Sequence, residues 1–171
     1  MQKDYNISGG YTHGEVSGTF SGAFRLHDDG RVVGTMNDSG ADIRFNRGKT
    51  KLIVGISEKD KLNFWKFSPS SIIVPLVYAM NADGENSYRG RWAPIEIPLS
   101  ALIEGVEGKQ GLRELEDAFK VDNLEATLGI LSRIEKSRIQ SYLDPNLIRD
   151  ILALSEETGY LSLKEVTAFS A

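Results

Sequence analysis

The sequence predicts an α+β protein: an eight-stranded antiparallel meander β-barrel over residues 1–98, a linker at 99–111 and an α-helical region at 112–171 whose three to four helices pack on the barrel. The run from Glu15 to Leu26 is the first observation behind this. Val16, Gly18, Phe20, Gly22, Phe24 and Leu26 share one face of an extended strand, and Glu15, Ser17, Thr19, Ser21 and Arg25 share the other. Strict alternation marks a half-buried strand, because successive side chains point to opposite faces. Glycines interleaved with aromatic rings on the apolar face suit a strand that coils around a barrel core. The second observation is a change of pattern near Pro98, with short apolar runs before it and longer runs at helical spacing after it.

Eight strands are expected before that boundary, at about 3–8, 15–26, 31–37, 41–46, 50–57, 61–67, 72–80 and 87–97. The connectors carry turn chemistry: Asp28-Asp29-Gly30, Asp38-Ser39-Gly40, Asn46-Arg47-Gly48, Ser68-Pro69-Ser70 and Asn81-Ala82-Asp83-Gly84. Asp-Gly and Ser-Gly pairs accept the positive φ of tight hairpins, and such short connectors leave no room for crossover helices. Neighbouring strands then pair antiparallel, and closing them removes exposed edges. Leu62 and Phe64 point inward in this scheme while Trp65 and Phe67 point outward. The run Ile72 to Met80 is apolar on both faces. Outward apolar residues need a cover, which the helices supply. Pro75, in the middle of its expected strand, removes a ladder donor and predicts a bulge or an unpaired position.

In the helical region Leu112, Leu115 and Phe119 form one stripe, and Leu124, Leu128, Leu131, Ile134 and Tyr142 a longer one after a cap at Asp122 or Asn123. Asp144-Pro145 opens a further helix carrying Leu147, Ile148, Ile151 and Leu152, which Gly159 ends. Ser162 to Glu165 reads as a capping box opening a last short helix with Val166 and Phe169. Gly105 to Gly111 is the flexible linker.

Composition narrows the function classes. A net charge of −4 argues against a nucleic-acid partner. Up to Pro98 the chain carries 12 basic and 11 acidic residues, and beyond it 8 and 13, so the acidity belongs to the helical region. Cys is absent, which removes disulfides and thiolate metal sites. Residues 1–6 lack the apolar segment of a signal peptide and no apolar run reaches transmembrane length. The expectation is a cytoplasmic protein with no membrane partner, no cofactor and no metal.

Motifs with reactive chemistry fall short. His13 and His27 stand at opposite ends of one strand and do not share a site. His27-Asp28-Asp29-Gly30 reads as a solvated hairpin turn. Glu104 to Gly111 approaches a phosphate-binding loop, but Ile103 replaces its first glycine and Gln110 its magnesium-binding hydroxyl. Leu154 to Glu165 matches an EF-hand loop at Gly159, Leu161, Ser162 and Glu165, yet Leu154 stands where the first carboxylate belongs. Arg89 and Arg91, with Arg44 nearby, read as the polar face of a strand. No Ser–His–Asp or paired-carboxylate arrangement is present.

The strand Gly18-Thr-Phe-Ser-Gly22, the hairpin from Asp29 to Thr35 and the closing strand from Tyr88 to Trp92 resemble the lipocalin-like, or calycin, type of small barrel. The chain lacks the N-terminal Gly-x-Trp signature of true lipocalins and adds an acidic helical region. The resemblance implies a non-enzymatic binding protein holding a small apolar ligand. The barrel interior is expected to be lined by Phe20, Phe24, Leu52, Val54, Phe64, Leu76, Tyr78 and Trp92. Phe20, Phe64, Tyr78, Tyr88 and Trp92 are the candidate ligand-binding residues. The alternative is an interaction or assembly module, with the barrel a filled scaffold and the helical half meeting a protein partner or a second copy. A barrel isomerase or cyclase would need a polar residue inside, for which Lys66 is the ionisable candidate.

Overall fold

The computed structural model describes residues 2–40, 50–67, 75–94, 113–118 and 123–166. Eight antiparallel strands in meander order close into a barrel, as the alternation predicts. They are β1 (Gln2–His13), β2 (Val16–His27), β3 (Arg31–Gly40), β4 (Thr50–Glu58), β5 (Lys61–Phe67), β6 (Leu76–Ala82), β7 (Ser87–Pro94) and β8 (Thr158–Val166). Among the described residues, the excursion from β7 to β8 holds a helical stretch at 113–118, α1 (Leu124–Leu131), α2 (Lys136–Tyr142) and α3 (Pro145–Leu154).

The eighth strand is not where the sequence places it. Residues 158–166, expected to include a capping box and a final helix, pair with β1 from Asp4↔Val166 to Tyr11↔Gly159 and with β7 from Ser87↔Ser162 to Arg91↔Thr158. The segment expected as purely helical therefore returns one strand to the barrel. Local rules allow a helix at Ser162–Glu165, but two open strand edges offer this segment a full set of ladder hydrogen bonds, and pairing wins. Gly159 is accordingly a strand residue, and α3 ends earlier, at Leu154 with Ser155 as its cap. The strand expected at 41–46 and the linker at 105–111 lie outside the described residues. So do Ile72, Ile73 and Val74. Pro75 stands just ahead of β6 rather than within it, which spares the ladder its missing donor.

Two apolar clusters follow from the barrel wall. The inner one contains Tyr5, Ile7, Tyr11, Phe20, Phe24, Met36, Ile53, Leu62, Phe64, Tyr78, Trp92 and Leu161. The outer one joins Val33, Leu52, Val54, Trp65, Phe67 and Val77 to Leu115, Leu128, Leu131, Ile134, Ile139 and Ile151, so the helices do cover the outward apolar face. Leu52 and Val54, expected inside, lie in this outer layer. Their strand is apolar on both faces, and the register Ile53↔Lys66 fixes Ile53 as the inward residue. The barrel also coils tightly, since a Cβ on Gly22 would fall 1.9 Å from the Thr35 carbonyl oxygen.

The helical caps match the sequence. Asn123 accepts from the Ala126 N–H at 3.1 Å, and Asp144 from the Asn146 N–H at 2.6 Å, with Pro145 in the first turn. The stripe expected to be continuous from Leu124 to Tyr142 is divided into α1 and α2 by residues 132–135.

Polar clasps hold this helical layer against one end of the barrel. Arg25, nearly buried, donates to Asp4 on β1 at 2.9 Å and to Glu125 on α1 at 3.0 Å. Arg31 donates to the carbonyls of Ser132 and Ile134 beyond α1. Lys136 pairs with Glu58 at 2.9 Å.

His27 belongs to the same clasp rather than to a freely solvated turn, with Nε2 2.9 Å from the Ser132 hydroxyl. Burial, and after it the Arg31 charge, lower its pKa below the ordinary 6.5. Arg25 acts in the same sense, while Asp29 and Asp4 oppose it. The fold thus favours the neutral ring, and as pH falls the unfolded chain takes up this proton first. The contribution of His27 to stability is complete above about pH 6.5 and is lost as pH falls from there through the folded-state pKa. Urea midpoints should drop more for the native protein than for His27→Gln between about pH 7.5 and about pH 5.5. Equal drops would show that His27 is uncoupled from folding.

Candidate functional site

Four of the five sequence-derived site residues meet inside the barrel. Phe20, Phe64, Tyr78 and Trp92 are each at most 2 % exposed, and Tyr88 is half-buried against the same cluster. The rings form a chain. Phe24 meets Phe64 edge-on at 5.9 Å, Phe64 stacks on Tyr78 at 4.8 Å, Tyr78 on Trp92 at 6.1 Å, and Trp92 meets Tyr11 edge-on at 6.3 Å. These are packing geometries of a filled core.

Lys66 does lie within this core. It is 4 % exposed, and its ammonium sits 5.7 Å from the Tyr11 ring centroid, 5.9 Å from Tyr78 and 6.0 Å from Phe20. Each of the three ring faces attracts the cation. Lys51, also buried, lies on the adjacent strand β4.

Tyr11 connects this interior to the outside. Across the β7–β8–β1–β2 seam, at the end of the barrel bearing the β1–β2 hairpin, runs a groove of about 590 Å³. Its walls come from Tyr11, Thr12, Ser17, Gly18 and Thr19 on one side and from Arg89, Gly90, Thr158, Gly159 and Tyr160 on the other. The strands meet closely here because glycines face them: Tyr11 pairs with both Gly18 and Gly159. Polar contacts fix the seam. Thr12 and Thr158 hydroxyls are 3.0 Å apart, the Thr158 N–H donates to Thr12 at 2.9 Å, and the Glu157 carboxylate accepts from the Gly14 N–H at 3.0 Å.

Arg89 and Arg91, read as polar-face residues, have defined tasks. Arg89 pairs with Asp83 at 2.7 Å and lies 5.6 Å from the Tyr160 centroid, while Arg91 donates to the carbonyls of Leu152 and Ser155 at the end of α3. Arg44 lies outside the described residues. The EF-hand reading fails on geometry, because residues from Thr158 onward are strand rather than loop. Among the described residues, no group of three or more His, Asp or Glu side chains could hold a metal ion, and no helix is long and apolar enough to cross a membrane.

The groove residues escaped sequence reasoning because Ser17 and Thr19 look like ordinary outward strand positions, Thr12 falls between two expected strands, and Thr158 and Tyr160 lie in the stretch read as the end of a helix. The available signal was that these positions carry hydroxyls rather than charges. Comparison with protein-family models, curated proteins and solved structures gives no match for this chain.

Proposed function

We propose that the protein is a non-enzymatic binding protein that takes a small molecule in the groove across the β7–β8–β1–β2 seam. The observation that carries this is the groove itself. A concavity of about 590 Å³ falls within the usual range of small-ligand sites, and it combines aromatic rings with hydroxyls and a guanidinium. The neighbouring interior supports placing the ligand here, since its rings already contact one another. What the barrel contributes is rigidity, because the groove walls belong to strands paired on both sides.

The test is a thermal-shift screen of a chemically diverse small-molecule library, with native mass spectrometry of the hits. A stabilising compound retained at one per chain, and lost in Ser17→Trp, is the expected result, because Ser17 is exposed and a large ring there fills the groove. A ligand bound equally well by Ser17→Trp, or no ligand at all, overturns the reading.

Protein–protein contact through the helical half is the second reading, and Leu154 favours it. This residue, at the end of α3, is 83 % exposed, and an apolar hollow lined by Trp92, Ala93, Pro94 and Ile151 adjoins it. Sedimentation that shows a discrete oligomer, lost in Leu154→Asp, would favour this reading.

A further inference from the structure

The outer surface of β8, β1 and β2 carries a small grid. Antiparallel pairing sets Ser162, Ser8 and Ser21 in one row and Tyr160, Gly10 and Thr19 in the next. The Thr12↔Ser17 pair, with Thr158 hydrogen-bonded to Thr12, makes a third. Rows and columns of such a grid lie about 4.8 Å apart across the strands and about 6.8 Å along them. Apart from half-buried Thr12 and the central glycine, every position is exposed, and none carries a charge. Charged groups stand at the margin, with Arg89 beside Tyr160 and Lys164 beyond Ser162. An ordinary solvated face would distribute Lys and Glu over such positions.

The centre of the grid is aromatic. A Cβ on Gly10 would fall 2.8 Å from the Tyr160 ring, so the ring extends across Gly10 onto the sheet, and a side chain at position 10 would displace it. Arg89 holds the ring by its guanidinium at 5.6 Å from the centroid. Tyr160 remains 44 % exposed and forms part of the groove wall.

We infer that the groove and its grid bind a saccharide, an inference that rests on the small-molecule reading above. Hydroxyls both donate and accept, and so do the hydroxyls of a sugar, so an array of Ser and Thr matches a ring of vicinal diols in either direction of each hydrogen bond. The weakly polar C–H face of a pyranose lies against an aromatic ring, which is the part Tyr160 offers. A neutral ligand suits a charge-free grid. The guanidinium at its margin is already paired with Asp83, so an anionic ligand finds little here to attract it.

The experiment is saturation-transfer NMR and calorimetry on the full chain with cello-, chito-, xylo- and malto-oligosaccharides. At least one series should bind. Tyr160→Ala should weaken that binding by about fivefold to tenfold, the worth of one ring contact, with the thermal midpoint of the free protein little changed. Tyr160→Phe should retain most of the affinity. Binding unaffected by Tyr160→Ala overturns the inference, as does a concentration-dependent dimer that disappears in Tyr160→Ala. Failure of every oligosaccharide overturns the saccharide class. If the diverse library then yields a ligand sensitive to Ser17→Trp, the groove still stands as a small-molecule site. If neither binds, both fail.

Discussion

A chain ending at Glu157 should show no cooperative unfolding transition. Such a chain keeps the first seven strands and the helices but loses β8, which pairs with β1 and β7 and closes the barrel. Leu161 is fully buried, and its removal uncovers the inner faces of Tyr5, Ile7 and Tyr11. Two strand edges open at the same time, and unpaired edges invite association between chains. Circular dichroism with urea titration should give a broad, non-sigmoidal curve, and light scattering should report aggregates. A sigmoidal transition near that of the full chain would mean that β8 contributes little to closure.

Trp92→Ala should lower stability by about 3–5 kcal/mol, the range for deleting a buried large aromatic side chain. The residue is 1 % exposed and stands between Tyr78 and Tyr11 in the ring chain. It also anchors the return of the chain to the barrel. Its indole N–H donates to the Thr158 carbonyl at 3.1 Å, its backbone N–H donates to the Glu157 carbonyl at 3.2 Å, and its carbonyl accepts from the Ser155 hydroxyl. Only the first of these involves the side chain, so Trp92→Phe should keep part of the packing and lose less than the alanine variant, about 1–3 kcal/mol for the missing hydrogen bond and the smaller ring. Chemical denaturation of the two variants separates the terms. A loss well below about 2 kcal/mol for the alanine variant would show that Trp92 lines open space instead of core.

The parts of the fold that were legible in the sequence are those governed by neighbours in the chain. The β2 alternation, the Asp29-Gly30 turn and the Asn123 and Asp144 caps each follow from a few adjacent residues, and each is observed. The strand β8 was not legible, since Gly159 and the Ser162–Glu165 spacing satisfy helix rules locally and only distant β1 and β7 decide otherwise. Leu52 and Val54 were misplaced for a related reason: a strand apolar on both faces has no internal mark of which side is the core. Phe20 and Trp92 were legible as inner residues because glycines stand beside them on the same face, Gly18 and Gly22 for the first and Gly90 for the second. The groove was not, because it joins residues near position 15 to residues near position 160 through register alone.

The pairing of Asp4 with Val166 also bears on how the molecule is made. Synthesis proceeds from the N-terminus, so β1 emerges ahead of the other seven strands and its eventual partner β8 after them. Until then β1 holds one neighbour only, and the groove lacks Thr158, Gly159 and Tyr160. Contacts this remote in sequence form slowly once the intervening chain must be gathered in, even though its loop-closure cost rises only with the logarithm of length. The helices fold within that interval from local contacts and can cover the outer apolar wall of the half-built sheet before it closes. On the small-molecule reading proposed above, the groove would be completed only when β8 pairs, so a chain stopped short of Thr158 would lack the site.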